Sequence, residues 1–536
     1  MGVDFGTSFT NVYVSRAGSA ELLPLNNLLF KVTEGQLETR FPALFEYFIP
    51  EEFLPTEKPL PLSSVLTTRG GVRGGQNAIF DGRLYVPNLV RFDPKAEWIE
   101  TDLKWDNFKS NRLFLKNLIL HISAIAIRQG INQIHWMLSF PSAFSRNDRN
   151  AYAKAWNDLT EELKGKTGIR YECSSDPESK YFRTESLAIA QYFADEERHD
   201  LMYSTCIDMG GGTSDISIWE SNRLIHQCSI QLAGRDLLSK FLELNPKFIE
   251  QRFGRNLQEW QNLRDGAFHA KLDVLLRWQS EQWLKEVRPT LHQAEDMQGL
   301  TRLMAIGFGG LYYYVGILLR VLNEEGKYKQ EKITPVYLGG NGSRLLHWLD
   351  PTGTFALHSE VNDFLSRMLA CGSGFEDTGV PTRLSKKPKD EVACGLVLDV
   401  SILQGLNLKT KDPVITGENC ELNGISLSWN QRLEIEEDVE NFRIPTFSCL
   451  AKFLHDFHYA LNATGIEGIL PIKDFKRSAE LSDNRKIWEG TRRELAQLLQ
   501  SQNLQGNASR IRIEPPFILG LKALLNYLGR EWAGRQ

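Results

Sequence analysis

The sequence predicts an α/β protein of two duplicated lobes followed by a mainly helical C-terminal extension, and three observations lead there. The stretch "VDFGTSFTNVYV" at Val3 and the stretch "IDMGGGTSDISI" at Ile207 align without a gap, so that Asp4 matches Asp208 and Gly6 matches Gly210, 204 residues apart. A strand, a glycine turn and a helix follow one another in "PVYLGGNGSRLL" from Pro335. At 536 residues the chain is too long for one core and implies roughly two to four domains.

In each copy of the repeated stretch an apolar residue precedes an aspartate. A glycine-centred turn, small hydroxyl residues and an alternating run ("TNVYV", "SDISI") follow, which is the pattern of a β-hairpin. Glycine in such a turn lets backbone N–H groups reach a phosphate, because no side chain stands in the way. Thr7, Ser8 and Thr213 add hydroxyl donors. An aspartate ending the strand beside the turn suits a hydrated Mg²⁺, whose oxygen shell gives up water reluctantly. Two facing copies would clamp one polyphosphate from both sides. The matched pair is more specific than either hairpin alone, and its spacing is far too long for a solenoid repeat.

The remaining elements read in order along the chain. Residues from about 240 to 300 are charged, carry several tryptophans and show helical spacing. The run Leu303 to Leu319 has 17 residues without a charge between Arg302 and Arg320. It stands alone, is rich in glycine and sits at the short end of what spans a bilayer, so a helix buried between a sheet and a neighbouring layer is expected, with no membrane span. Ala188 and Ala190, and later Ala393 and Gly395, give two helices small faces that would let them cross closely. After residue 402 a short strand-like stretch, "ENCELNGISLSW", precedes helical patterns such as "FLHDFHYAL" and "FILGLKALLNYLGREW". His455 and His458 lie in the first of these with no carboxylate cluster at ligand spacing, so both are expected as surface histidines.

Composition narrows the setting. With 62 basic and 67 acidic residues and 42% hydrophobic content, the chain reads as an ordinary globular protein with no pull toward nucleic acid or anionic membrane. Seven scattered cysteines, none in a C-x-x-C pair, fit a reducing cytoplasm and argue against zinc. Asp4 interrupts any apolar leader, and Gly6 stands where an N-myristoylation signal wants Ser or Thr.

Both hairpins resemble the phosphate-binding motifs of the actin-like ATPase superfamily, especially those of the seventy-kilodalton heat-shock chaperones. Four further stretches support the resemblance in the family's order. "HWMLSFPSAFSRNDRNAY" (His135 to Tyr152) is similar to the family's strand, proline and helix start. "TESLAIAQYF" (Thr184 to Phe193) resembles the first connecting helix, with Glu185 at the acidic position and Ser186 where proline is usual. "YLGGNGSRLLHWL" (Tyr337 to Leu349) resembles the adenosine motif with one residue more before the Ser-Arg pair. "KPKDEVACGLVL" (Lys387 to Leu398) resembles the second connecting helix, with Lys389 replacing an acidic residue.

The resemblance implies an actin-like fold of two ribonuclease H-like lobes interleaved along residues 1–402. Lobe I would comprise about 1–200 plus 385–402, with a peripheral insert at 31–111 containing "RFPALFEYF" (Arg40 to Phe48). Lobe II would comprise about 201–384, with an insert at 240–300, and residues 403–536 would form a helical module for partner binding or lobe packing. It implies a cleft for ATP or ADP with Mg²⁺. Gly6, Thr7, Ser8, Phe9, Gly210, Gly211, Gly212, Thr213, Gly234, Gly339, Gly340, Asn341, Gly342 and Ser343 would contact nucleotide. Asp4 and Asp208 would hold the Mg²⁺ through water, Glu185 and Asp208 would orient the attacking water, and Thr213 would assist. Lys104, in "TDLKWDNF", is the candidate catalytic lysine, and Asp215 would brace the second hairpin. The implied activity is slow ATP hydrolysis acting as a timer on a protein client or co-regulator. The alternatives are an actin-like filament ATPase, a small-molecule kinase of the same superfamily and a nucleotide-binding scaffold without turnover.

Overall fold

The computed structural model describes residues 1–16, 18–24, 30–35, 44–49, 61–67, 83–84, 99–104, 108–256, 258–261, 263, 265–293, 298–398, 403, 413–433, 441–473, 475–476, 481–504 and 514–533. Two sheets carry the fold, and they are wired alike. In the first, β1 (Gly2–Phe5), β2 (Phe9–Arg16) and β3 (Ser19–Leu22) form an antiparallel meander. Helix α1 (Phe108–Arg128) leads to β4 (Met137–Phe140), which pairs parallel to β1. Helix α2 (Arg146–Thr167) leads on to β5 (Phe182–Thr184), parallel to β4. Helix α3 (Glu185–Gln191) then leaves the sheet. The strand order is β5-β4-β1-β2-β3.

The second sheet repeats this plan. β6 (Tyr203–Met209), β7 (Ser214–Glu220) and β8 (Arg223–Ile230) form the meander. Helix α4 (Gln298–Glu324) leads to β9 (Val336–Gly339), helix α5 (Glu360–Ser373) leads to β10 (Thr382–Leu384), and both strands run parallel to β6. Helix α6 (Glu391–Val397) leaves this sheet as α3 leaves the first. The order β8-β7-β6-β9-β10 matches the path β3-β2-β1-β4-β5 of the first sheet, which also carries Leu62–Ser63 paired with β2. The chain is therefore an α/β fold in which one sheet topology occurs twice.

Local sequence explains the element ends that position the site. Ser145 caps α2 in a reciprocal capping box with Asp148, and Gly168 stops it in the left-handed region at φ 72°. Thr184 ends β5 and also caps α3 by accepting from the Leu187 N–H, so Glu185 is the first residue of that helix. Helix α6 returns to pack on α3, β1 and β2, and a Cβ at Gly395 would collide with the Ala188 carbonyl oxygen. The small faces of these two helices therefore meet as their composition predicts.

Helix α4 is long and apolar enough to cross a membrane, yet 94% of its most apolar stretch is buried inside the protein. One face meets α5, where a Cβ on Gly316 would strike the Leu369 carbonyl. Another meets the C-terminal helices α7 (Ser448–Thr464) and, with α8 (Arg485–Leu504) packed on its far side, α9 (Pro516–Ala533), where Leu521 packs over Gly310. Phe517 lies 5.7 Å from the Tyr313 ring and 5.8 Å from that of Phe453, and the Tyr314 hydroxyl donates to the Ile415 carbonyl at 2.8 Å. Buried residues including Ile415, Phe447, Leu454, Trp488, Phe517 and Leu528 thus share one continuous apolar core with the second sheet. The stretch "ENCELNGISLSW" forms the hairpin Cys420–Leu422 and Ile425–Leu427.

Several expectations are settled differently. His458 is buried, not at the surface: its imidazole bonds the Leu454 carbonyl and the Ile472 N–H, closing the loop after α7. His455 is half-buried and pairs with Asp456. Much of the 31–111 insert, including Arg40 to Ala43, lies outside the described residues, while Leu44–Ile49 pairs antiparallel with Phe30–Gly35. The described residues of the 240–300 stretch include the helices Pro246–Phe253 and Asp265–Glu286, as its spacing predicts.

Because the C-terminal helices fill the second core, removing residues 403–536 exposes it. The shortened chain is expected to be insoluble or partly unfolded on size exclusion. Phe517→Ala should cost about 3–5 kcal/mol by chemical denaturation. Tyr459→Ala, on an exposed ring of α7, should stay within about 0.5 kcal/mol of wild type.

Candidate functional site

The two hairpins close in the same way. The Gly6 N–H donates to the Phe9 carbonyl at 3.1 Å and the Gly210 N–H to the Thr213 carbonyl at 2.9 Å, leaving two-residue loops at Thr7-Ser8 and Gly211-Gly212. Asp4 then faces Asn11 across its hairpin, and Asp208 faces Asp215. The loops also face each other. A Cβ on Gly212 would lie 3.4 Å from Thr7 Cγ2, and one on Gly211 would collide with the Ser8 hydroxyl. The two loops are thus in van der Waals contact, and a side chain at Gly211 would have to push the Ser8 hydroxyl aside.

A further set of glycines joins the second loop. The Gly234 N–H donates to the Gly210 carbonyl at 3.2 Å, and a Cβ on Gly342 would lie 2.8 Å from that same oxygen. Gly340 takes φ 76° and ψ 162°, backbone that favours glycine, and a Cβ there would strike the Asp208 carboxylate. Gly339 abuts the Glu391 carboxylate. Asn341 and Ser343 begin a short 3₁₀ turn, Asn341–Leu345. The Ser343 hydroxyl donates to the Gly340 carbonyl at 2.7 Å, so it holds the turn rather than pointing out toward a ligand. Phe9 is buried in the sheet and gives the site its carbonyl only as the closing bond of the turn.

Charged side chains gather behind the loops. Asp4 and Glu185 are buried, and the Lys104 ammonium pairs with the Glu185 carboxylate. Burial pushes the Glu185 carboxyl up, Lys104 draws it down and Asp4 adds to the rise. Burial, with the charges of Asp4 and Glu391, holds Asp208 well above the ordinary carboxylate range. Asp215 is raised likewise by burial and by Glu185. Its Oδ1 accepts the Ser142 N–H at 3.0 Å from the loop after β4. Asp215 therefore does more than brace its hairpin: it ties the second hairpin to the first sheet and belongs to the acidic cluster. Ser186 and Thr184, at the start of α3, donate to Gln227 Oε1 on β8 at 3.1 and 2.9 Å.

Three consecutive residues complete the site from the other side. The Lys389 ammonium, 13% exposed as a side chain, pairs with Asp4 and lies 2.8 Å from where a Gly6 Cβ would stand. Asp390 accepts from Asn11 Nδ2 at 2.6 Å and from the Tyr13 hydroxyl at 2.8 Å. Glu391 accepts the Gly340 N–H at 3.0 Å. Glu391 is also the first residue of α6, as Glu185 is of α3, so the repeat includes the acidic start of each crossing helix.

The residues around Asp4 and Asp208 do not fit a Mg²⁺ held between them. The Lys389 ammonium already lies on Asp4, and its positive charge also acts on Asp208 and Glu185. Among the described residues no three His, Cys, Asp or Glu side chains converge as direct metal ligands.

The sequence-predicted residues Asp4, Lys104, Glu185 and Asp208 and the hairpin glycines are thus brought together. Sequence reasoning missed Lys389, Glu391 and the inward role of Asp215. The single signal was Lys389 at a position where the resembled family is acidic. In comparisons with known proteins, neither a family model nor a curated sequence matches the chain.

Glu391 gives a pH test. Burial lifts its carboxyl from 4.5 to about 7, so the folded state favours the protonated form. Its stabilising effect is complete below pH 4.5 and is lost as pH rises through about 7. Glu391→Gln keeps an acceptor for Gly340 without the charge. Its melting temperature should match wild type at low pH and exceed it at pH 8, with up to about 3 kcal/mol between them. A gap that does not vary with pH would contradict the assignment.

Proposed function

We propose that the space between the facing hairpins binds a nucleoside triphosphate of the ATP type and hydrolyses it slowly, and that the chain is a chaperone-like nucleotide switch on an actin-like fold. The observation that carries this reading is the duplicated hairpin. Two strands with aspartate next to last, closed by matched turns, meet loop to loop, and a further glycine turn packs beside them. In this reading the backbone N–H groups and hydroxyls of the two loops bind phosphate oxygens. Asp208, with Glu185 and Asp215 behind it, orients a water, while Lys104 and Lys389 offset charge on the transferring group. Helices α3 and α6, crossing at Ala188 and Gly395, are the place about which the two sheets would part once the terminal phosphate is lost. The surface so altered would be read by a protein partner.

ATP or ADP should raise the melting temperature by several degrees, since a ligand specific to the folded state adds about 2.7 kcal/mol at 100 times its dissociation constant. An unchanged melting curve at saturating nucleotide would rule out the site. Asp208→Asn keeps the shape of the side chain and leaves both loops intact, so nucleotide binding should persist. Hydrolysis in a single-turnover assay should fall by roughly 10²–10³. Wild-type turnover in that variant would remove Asp208 from the mechanism.

A further inference from the structure

We propose that Lys389 is a built-in cation that takes the place of a divalent metal at the hairpin aspartates, so that the site binds a nucleoside polyphosphate without Mg²⁺. The inference rests on the nucleotide reading above and says how that site handles charge. A polyphosphate brought against Asp4 and Asp208 meets carboxylates, and some positive charge must stand between them. In this chain that charge is covalent. The Lys389 ammonium lies on Asp4, with only 4% of the aspartate side chain exposed.

Three features show that this placement is built in rather than a chance contact of a long side chain. Lys389 adopts φ 82°, in the left-handed region that a lysine enters only when its surroundings require it. The two residues that follow fix its backbone: Asp390 is held by Asn11 and Tyr13 of β2, and Glu391 by the Gly340 N–H. The path of the side chain passes over Gly6, where a Cβ would stand in the way of the ammonium. Lys104, paired with Glu185, is a second fixed cation in the same cluster. A divalent ion entering between Asp4 and Asp208 would have to displace or stand beside the Lys389 charge, which like-charge repulsion opposes.

The test uses the full-length protein and titrates ATPγS by calorimetry in excess EDTA and then in excess Mg²⁺. The expected result is binding in both, with dissociation constants that agree within about threefold. Binding that weakens by about thirtyfold or more in EDTA would overturn the inference and leave the nucleotide reading standing. Absence of binding in both buffers would remove the nucleotide reading and this inference with it. Lys389→Asp then supplies an acidic residue where the ammonium was. It should lose about tenfold or more in EDTA, recover in Mg²⁺ and bind Mn²⁺ visibly by electron paramagnetic resonance, whereas the wild type binds none. Equal Mn²⁺ binding by wild type and variant would overturn the inference. Should the variant fail to fold, the wild-type comparison in the two buffers decides alone.

Discussion

The segment Lys389-Asp390-Glu391 is the constraint on which the site depends. Its three side chains reach three separate targets: the end of β1 at Asp4, the outgoing strand β2 at Asn11 and Tyr13, and the glycine turn after β9 at Gly340. The first two belong to the first sheet and the third to the second. A helix start packed on the first sheet thereby holds a turn of the second, and the hairpin loops face each other partly because of it. The contacts are partly buried, where a charge-assisted hydrogen bond is strong and an abandoned partner is costly. Losing one of the three would therefore disturb the others.

The repeat gives this arrangement a simple logic. Each sheet supplies a hairpin whose first strand has aspartate next to last and a helix beginning with glutamate, and the two helices cross with backbone against backbone at Ala188 and Gly395. The halves are not electrostatically equal. Glu185 has Lys104 as its counter-ion, whereas Glu391 bonds a backbone amide and titrates near neutrality. Burial raises both carboxyls, and only Glu185 has an ammonium drawing it back down.

Stability is distributed just as unevenly. The second sheet leans on α4, a helix apolar all round, which the second sheet's own elements cannot cover alone. The C-terminal helices supply the missing layer through Phe453, Phe517 and Leu521. A helix of this composition is stable in water only when enclosed on every side, and this accounts for the integration of residues beyond 415 into the core.

From the sequence alone, the duplicated hairpins, the buried nature of the 303–319 run and the small crossing faces were all legible, because each rests on local spacing: period-two alternation, an unbroken apolar run, glycine and alanine at helical intervals. Asp4 and Asp208 were legible as residues marked by a repeated pattern, and Glu185 only through the motif its helix resembles. Lys389 read only as a departure from a resembled motif, and His458 only as a surface histidine. Their roles come from partners 385 residues away in the first case and a backbone amide 14 residues away in the second. Which carboxylate faces which ammonium, and whether a histidine is enclosed, depends on long-range packing that places distant segments within a few ångströms. Residue spacing carries no record of that distance, so only the tertiary structure decided it.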